Sequence, residues 1–199
     1  MTVDEIQNLL KVCKGKPIHD MIIFLFVYGL RREELMGLRW EDVDFDNKTI
    51  TIQHTVTTIG RHRIESDTTK TASSRRTYPI TSQIEKILYR LKDEQEHYKD
   101  VYKDKYVNCD KVFRHKDGSE FAVAYPRQAL QRVEAKYNLP LTSLHCLRHS
   151  CASYLMCIGW SPKETADWLG HSNISTTMNI YTHTSLDRKK KMAEAIQEI

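Results

Sequence analysis

Thr49-Ile50-Thr51-Ile52 and, further on, Thr77-Tyr78-Pro79-Ile80 are the runs that decide the fold class. Both are rich in β-branched and aromatic side chains, which suit a pleated, half-buried surface, and Gly60 lies between them as a turn residue. They predict a small antiparallel sheet. On either side of it the apolar spacing turns helical. Upstream, Thr2 followed by Glu5 forms a capping box ahead of Ile6, Leu9 and Leu10, and Gly15-Lys16-Pro17 breaks the helix that it opens. An apolar helix then spans 19–27 and a third one 31–38. Downstream, 81–99 places Ile84, Ile87, Leu88 and Leu91 on one face. Lys111-Val112-Phe113 reads as a short strand and Asp117-Gly118 as a turn, and Tyr125-Pro126 opens a helix that stops before Asn138.

Three helix boundaries follow in the last third. Thr142 or Ser143 caps a helix carrying His145 and Arg148. Ser161-Pro162-Lys163-Glu164 supplies an N-cap, a proline suited to the first turn and a closing glutamate, and Gly170 ends that helix so that His171 falls at a turn. Short helices are expected at 175–181 and at 186–199, the latter with Met192, Ile196 and Ile199 on one stripe. The expected class is therefore α+β, predominantly helical, with a small antiparallel β-sheet.

With 199 residues, 40% of them hydrophobic, the chain can bury a core of its own, and one domain is expected. The formal charge of +4 is a weak pointer to a polyanion, but the basic residues cluster. Arg61, His62, Arg63, Lys70, Arg75 and Arg76 face only Glu65 and Asp67 between Gly60 and Arg76. A solvated hairpin is the plain reading, and phosphate contact the one favoured by its flanks. Five cysteines, odd in number and without C-x-x-C spacing, read as reduced thiols. The amino terminus lacks the basic and apolar regions of a signal peptide, so a cytoplasmic protein is expected.

His145 and Arg148, three apart on a helix, share a face, as do Arg31 and Glu34. A phosphodiester under attack gains charge on its non-bridging oxygens, and arginine meets it with a planar fork that stays protonated. Tyr181 offers an oxygen nucleophile, but with an ordinary pKa of about 10 it needs a base such as His145. Lys70 could protonate the leaving oxygen, and His171 could donate a hydrogen bond to the same phosphate. Taken singly, the plain readings are a surface ion pair for Arg31 with Glu34 or Glu33 and helix packing or hydrogen bonding for His149. A metal site at His145, His149 and the nearby cysteines lacks a second ligand pair.

Gly29-Leu30-Arg31-Arg32-Glu33-Glu34-Leu35, Lys70-Thr71 ahead of Arg76 to Pro79, His145-Cys146-Leu147-Arg148-His149, Leu169-Gly170-His171 and Ile180-Tyr181-Thr182-His183 resemble, in that order, the signature of the tyrosine recombinases, the phage integrase family. The resemblance covers nearly the whole chain and is closest to integrases of phages and conjugative transposons, with a chromosome-dimer resolvase as the nearest alternative. It implies that 1–199 is a catalytic domain, the amino-terminal core-binding domain being absent from this chain. It implies Arg31, Lys70, His145, Arg148 and His171 as activating residues, with Glu34 as their structural support. Tyr181 would then form a 3′-phosphotyrosyl bond to DNA, with no metal, ATP or other cofactor. Arg61, Arg63, Arg75 and Arg76 are the expected DNA contacts. The implied partners are double-stranded DNA and further copies of the chain in a tetramer, the helix at 186–199 packing either on its own domain or on a neighbouring copy. Directionality or DNA-bending factors could join them; a membrane is not expected. A DNA-binding accessory protein of the same fold, and more remotely a metal-dependent tyrosine nuclease, remain the alternatives.

Overall fold

The structure, a computed structural model, describes residues 1–60, 62–67, 75–140 and 142–171. The helices expected at 175–181 and 186–199 lie outside the described residues. Thr2 caps α1 (Val3–Cys13): its hydroxyl accepts from the Glu5 amide, and the Glu5 carboxylate accepts from the Thr2 amide at 2.8 Å. Helix α2 (Pro17–Val27) starts on a proline and buries Ile18, Met21, Ile22, Ile23, Phe24 and Leu25. A helix apolar on nearly every side belongs at the centre of a fold. Helix α2 accordingly touches α1, α3 (Arg32–Gly37), α5 (Tyr125–Tyr137) and α6 (Leu144–Cys157).

The sheet has the order β1 (Val43–Asp44), β2 (Thr49–Ile52), β5 (Arg76–Pro79), all antiparallel. Ile50 lies opposite Tyr78, and Ile50, Ile52 and Tyr78 point into the core. Thr51 and Thr77 face each other on the other side, their hydroxyls 3.0 Å apart. This is the alternation that the two runs predicted. Gly60, however, does not join them. It turns a separate hairpin, β3 (His54–Ile59) with β4 (His62–Asp67), inserted between β2 and β5.

The hairpin rests on α3 at Gly37, where a Cβ would stand 2.9 Å from Thr55 Cα and closer still to the His54 carbonyl. Lys111-Val112-Phe113 makes only one bridge, Arg39 to Lys111, rather than a strand. The Val112 amide donates to the distant Leu38 carbonyl at 3.0 Å, and the chain turns away at once through 115–119. Helix α4 (Ser82–Tyr102) is capped by Thr81, α5 ends on Asn138 in the left-handed region, and Ser143 caps α6. Helix α7 (Pro162–Leu169) has the full Ser161/Glu164 capping box and stops at Gly170. A smaller cluster of Cys151, Ala152, Leu155, Met156 and Leu169 packs α7 against α6. The start of α3, the middle of α6 and the end of α7 thus meet beside β5.

Candidate active site

Glu34 is the centre of this meeting point. It occupies the third position of α3, where its carboxylate reaches back to the Arg31 amide at 2.8 Å, half of a capping box. Only 3% exposed, the same carboxylate also accepts from Arg31 Nη1 at 2.8 Å and from Arg76 Nη1 and Nη2 at 3.0 and 2.6 Å. Arg148 Nη1 stands 4.0 Å away. Burial alone would raise the carboxyl pKa, but the bonds and charge of Arg76 and Arg31 outweigh it and hold the pKa below the usual value. Three guanidinium groups therefore share one carboxylate, leaving an excess of positive charge.

Arg148 is buried on α6 and spans two loops. It donates from Nη1 to the Gly29 carbonyl at 2.5 Å, from Nη2 to the Leu169 carbonyl at 2.7 Å and from Nε to His171 Nε2 at 3.3 Å. Burial, and then the charge of Arg31, lower its pKa to about 10, so it stays protonated at neutral pH. Arg31 has a half-exposed side chain and donates from Nη2 to the Gly170 carbonyl at 3.3 Å. Burial, followed by the charges of Arg148 and Arg31, pushes the His171 pKa down to about 4. Its ring is neutral at pH 7, and since Nε2 accepts from Arg148 its proton is assigned to Nδ1.

His145 lies on α6 one turn before Arg148, but the two sit at different depths, His145 exposed and Arg148 buried. His145 lines a cleft of about 440 Å³ together with Arg31, Arg32, Arg127 and Gln131. Its ring meets that of His149 edge-on, centroids 4.4 Å apart. No group of three or more His, Cys, Asp or Glu suited to a metal ion occurs among the described residues. Arg127 and Gln131, one turn apart on α5, carry no motif. The only sequence signal for them was the polar face of a helix placed just before the His145 segment.

The four arginines expected at DNA part company. Arg75 is exposed, whereas Arg63 is paired with Glu65 at 3.1 Å and Glu120 at 2.5 Å. Arg76 departs most from the expectation of a DNA contact: its side chain is 8% exposed and turned inward onto Glu34. The strand alternation explains this, because Arg76 lies on the same inward face as Tyr78. Arg61, Lys70 and Tyr181 lie outside the described residues.

The chain is similar to several known proteins. A tyrosine recombinase XerC-like protein of Caldanaerobacter subterraneus is 28% identical over 98% of this chain and 53% of its own length. The transposase from transposon Tn916 of Enterococcus faecalis is 28% identical over 94% of this chain and 48% of its own. The chain thus spans about half the length of the curated relatives it matches. The Tn1549 transposon integrase in complex with transposon right end DNA superposes with a TM-score of 0.81 at 25% identity, over 99% of this chain and 65% of that one. The catalytic domain of bacteriophage HP1 integrase, at 19% identity, shares the fold with a TM-score of 0.60 over 92% and 86%. The sequence also matches the profile of the phage integrase family over residues 1–188, and the chain belongs to that family.

Proposed function

We propose that the protein to which this chain belongs is a site-specific DNA recombinase, an integrase of a mobile element, that cuts and rejoins duplex DNA through a covalent 3′-phosphotyrosyl intermediate. The observation that carries the proposal is the convergence of Arg31, Arg148 and the neutral His171 around one buried, overmatched carboxylate, beside the cleft that holds His145. A site with surplus fixed guanidinium charge and hydrogen-bond donors fits a phosphodiester whose charge grows during attack.

In this reading Arg31 and Arg148 hold the non-bridging oxygens. His145 takes the proton of Tyr181 as its oxygen attacks phosphorus. The bond to the 5′ oxygen breaks, and Lys70 supplies that oxygen with a proton. Attack by the 5′ hydroxyl of a partner strand on the phosphotyrosine reverses these steps. Arg32 and Arg127 of the cleft, and the exposed Arg75, would meet backbone phosphates, and Gln131 would reach base edges. Cations of the protein would neutralise the phosphate without a divalent metal or ATP. Double-stranded DNA is the proposed partner. Assembly into a tetramer through 186–199, the help of directionality or DNA-bending factors, and a cytoplasmic location belong to the same proposal. No helix among the described residues is long and apolar enough to cross a membrane.

The test is a nicked suicide DNA carrying the cognate core site, incubated with the full-length protein and resolved under denaturing conditions. A covalent adduct is expected, and it should vanish in Tyr181→Phe. An undiminished adduct in that variant would remove Tyr181 from the role of nucleophile. Tight cognate binding without any adduct would favour an accessory DNA-binding protein instead.

A further inference from the structure

Arg76 needs a different role from the one its sequence context suggests. Its guanidinium makes two charge-assisted bonds to Glu34, one to each oxygen, and its Nε donates to the Tyr78 hydroxyl at 2.5 Å. That hydroxyl contacts the Trp168 carbonyl at the end of α7 and the Tyr28 carbonyl, at 3.3 Å, at the end of α2. The guanidinium also passes beneath the turn before His171: a Cβ on Gly170 would stand 2.8 Å from Arg76 Nη1. One side chain thus touches the start of α3, strand β5 and the end of α7, the segments that carry Arg31 and His171.

We propose that Arg76 is a positioning residue for DNA cleavage: by engaging both oxygens of Glu34 it takes up carboxylate charge that would otherwise fall wholly on Arg31 and Arg148, and through Tyr78 and Gly170 it sets the turn that presents His171. This inference rests on the function proposed above. A buried carboxylate that loses one partner turns to the remaining cations, because an unpaired charge is costly in a poorly solvated site. Without Arg76 those cations are Arg31, already 2.8 Å away, and Arg148, at 4.0 Å. Arg31 would then be held more tightly and Arg148 drawn in, both at the expense of a phosphate. The bidentate fork is the feature that prevents this, and lysine cannot reproduce it.

The experiment is single-turnover cleavage of suicide DNA by the full-length protein, with DNA affinity measured in parallel. Arg76→Gln should slow cleavage at saturating DNA by at least about tenfold while affinity and its salt dependence hardly change, the pattern of an interaction felt in the transition state. Adding Glu34→Gln to Arg76→Gln should restore part of the rate, because a neutral amide cannot compete for the two arginines. Should Arg76→Gln not fold, Arg76→Lys carries the test: a slower rate at saturating DNA supports the role, and an unchanged rate overturns it. A wild-type rate in Arg76→Gln, or a double variant slowed by the product of the two single effects, overturns the proposal. So does a salt slope shallower by about one in Arg76→Gln, which would mark a direct phosphate contact. Absence of adduct from the wild-type protein would instead defeat the proposed function itself.

Discussion

At the scale of single residues, His171 shows how burial and charge set a protonation state. Its folded pKa of about 4 lies below the ordinary histidine value of 6.5, so between these values the unfolded chain binds more protons than the folded one. Stability contributed by the neutral ring is therefore fully present above pH 6.5 and is lost as pH falls toward 4. His171→Gln removes the titration, and urea unfolding at several pH values should show a smaller loss between pH 6.5 and 4 than in the wild type. Equal losses in both would refute the half-buried, neutral assignment. The residue types around Glu34 were legible because Arg31 and Glu34, or His145 and Arg148, are neighbours on single helices. The bond between Arg76 and Glu34 was not, since it joins residues far apart in the chain. Nor was the difference in depth between His145 and Arg148, which depends on how α6 packs against its neighbours rather than on spacing along it.

Among the elements, caps and breakers were readable for local reasons. Thr2, Ser143, Ser161, Asn138 and Gly170 act within a few residues of the backbone groups that they satisfy or release. The hairpin β3–β4 was harder, because every residue of β4 is exposed and no buried face imposes an alternating pattern. Val112 and Phe113 misled in the opposite way: they are apolar and buried, yet they lie in irregular chain. What holds the hairpin is tertiary. Glu65 accepts from Lys111, itself 2% exposed, and from Arg39, each at 3.0 Å. Burial would raise the Glu65 pKa, but these partners and Arg63 draw it down to about 2. Because Glu65 is more than a third exposed, its ion pair with Arg39 adds little. The close approach at Gly37 matters more. Gly37→Ala would force the backbone of β3 away from α3, and overpacking of this kind costs roughly 1–3 kcal/mol. Hydrogen exchange should quicken first in β3 and β4, and an unchanged exchange pattern with unchanged stability would contradict the packing described.

For the whole molecule, the question is where a net charge of only +4 becomes a surface for a polyanion. Part of the basic side-chain charge is already balanced: Arg39, Arg63, Arg76, Arg90 and Lys111 all pair with carboxylates. Arg127 lines the cleft beside Arg31 and His145 and makes no ion pair among the described residues. Phosphate binding releases condensed counterions, so each such contact steepens the fall of affinity with salt, by about one on logarithmic axes. Arg127→Ala should therefore make the salt dependence of duplex binding shallower by about one. Arg63→Ala should leave it nearly unchanged, because Glu65 and Glu120 already neutralise that guanidinium. Fluorescence anisotropy with labelled duplex at four or five salt concentrations measures both slopes. The reverse ranking would place the phosphate-facing surface on the hairpin rather than on α5, and would require the ion pairs of Arg63 to open when DNA binds.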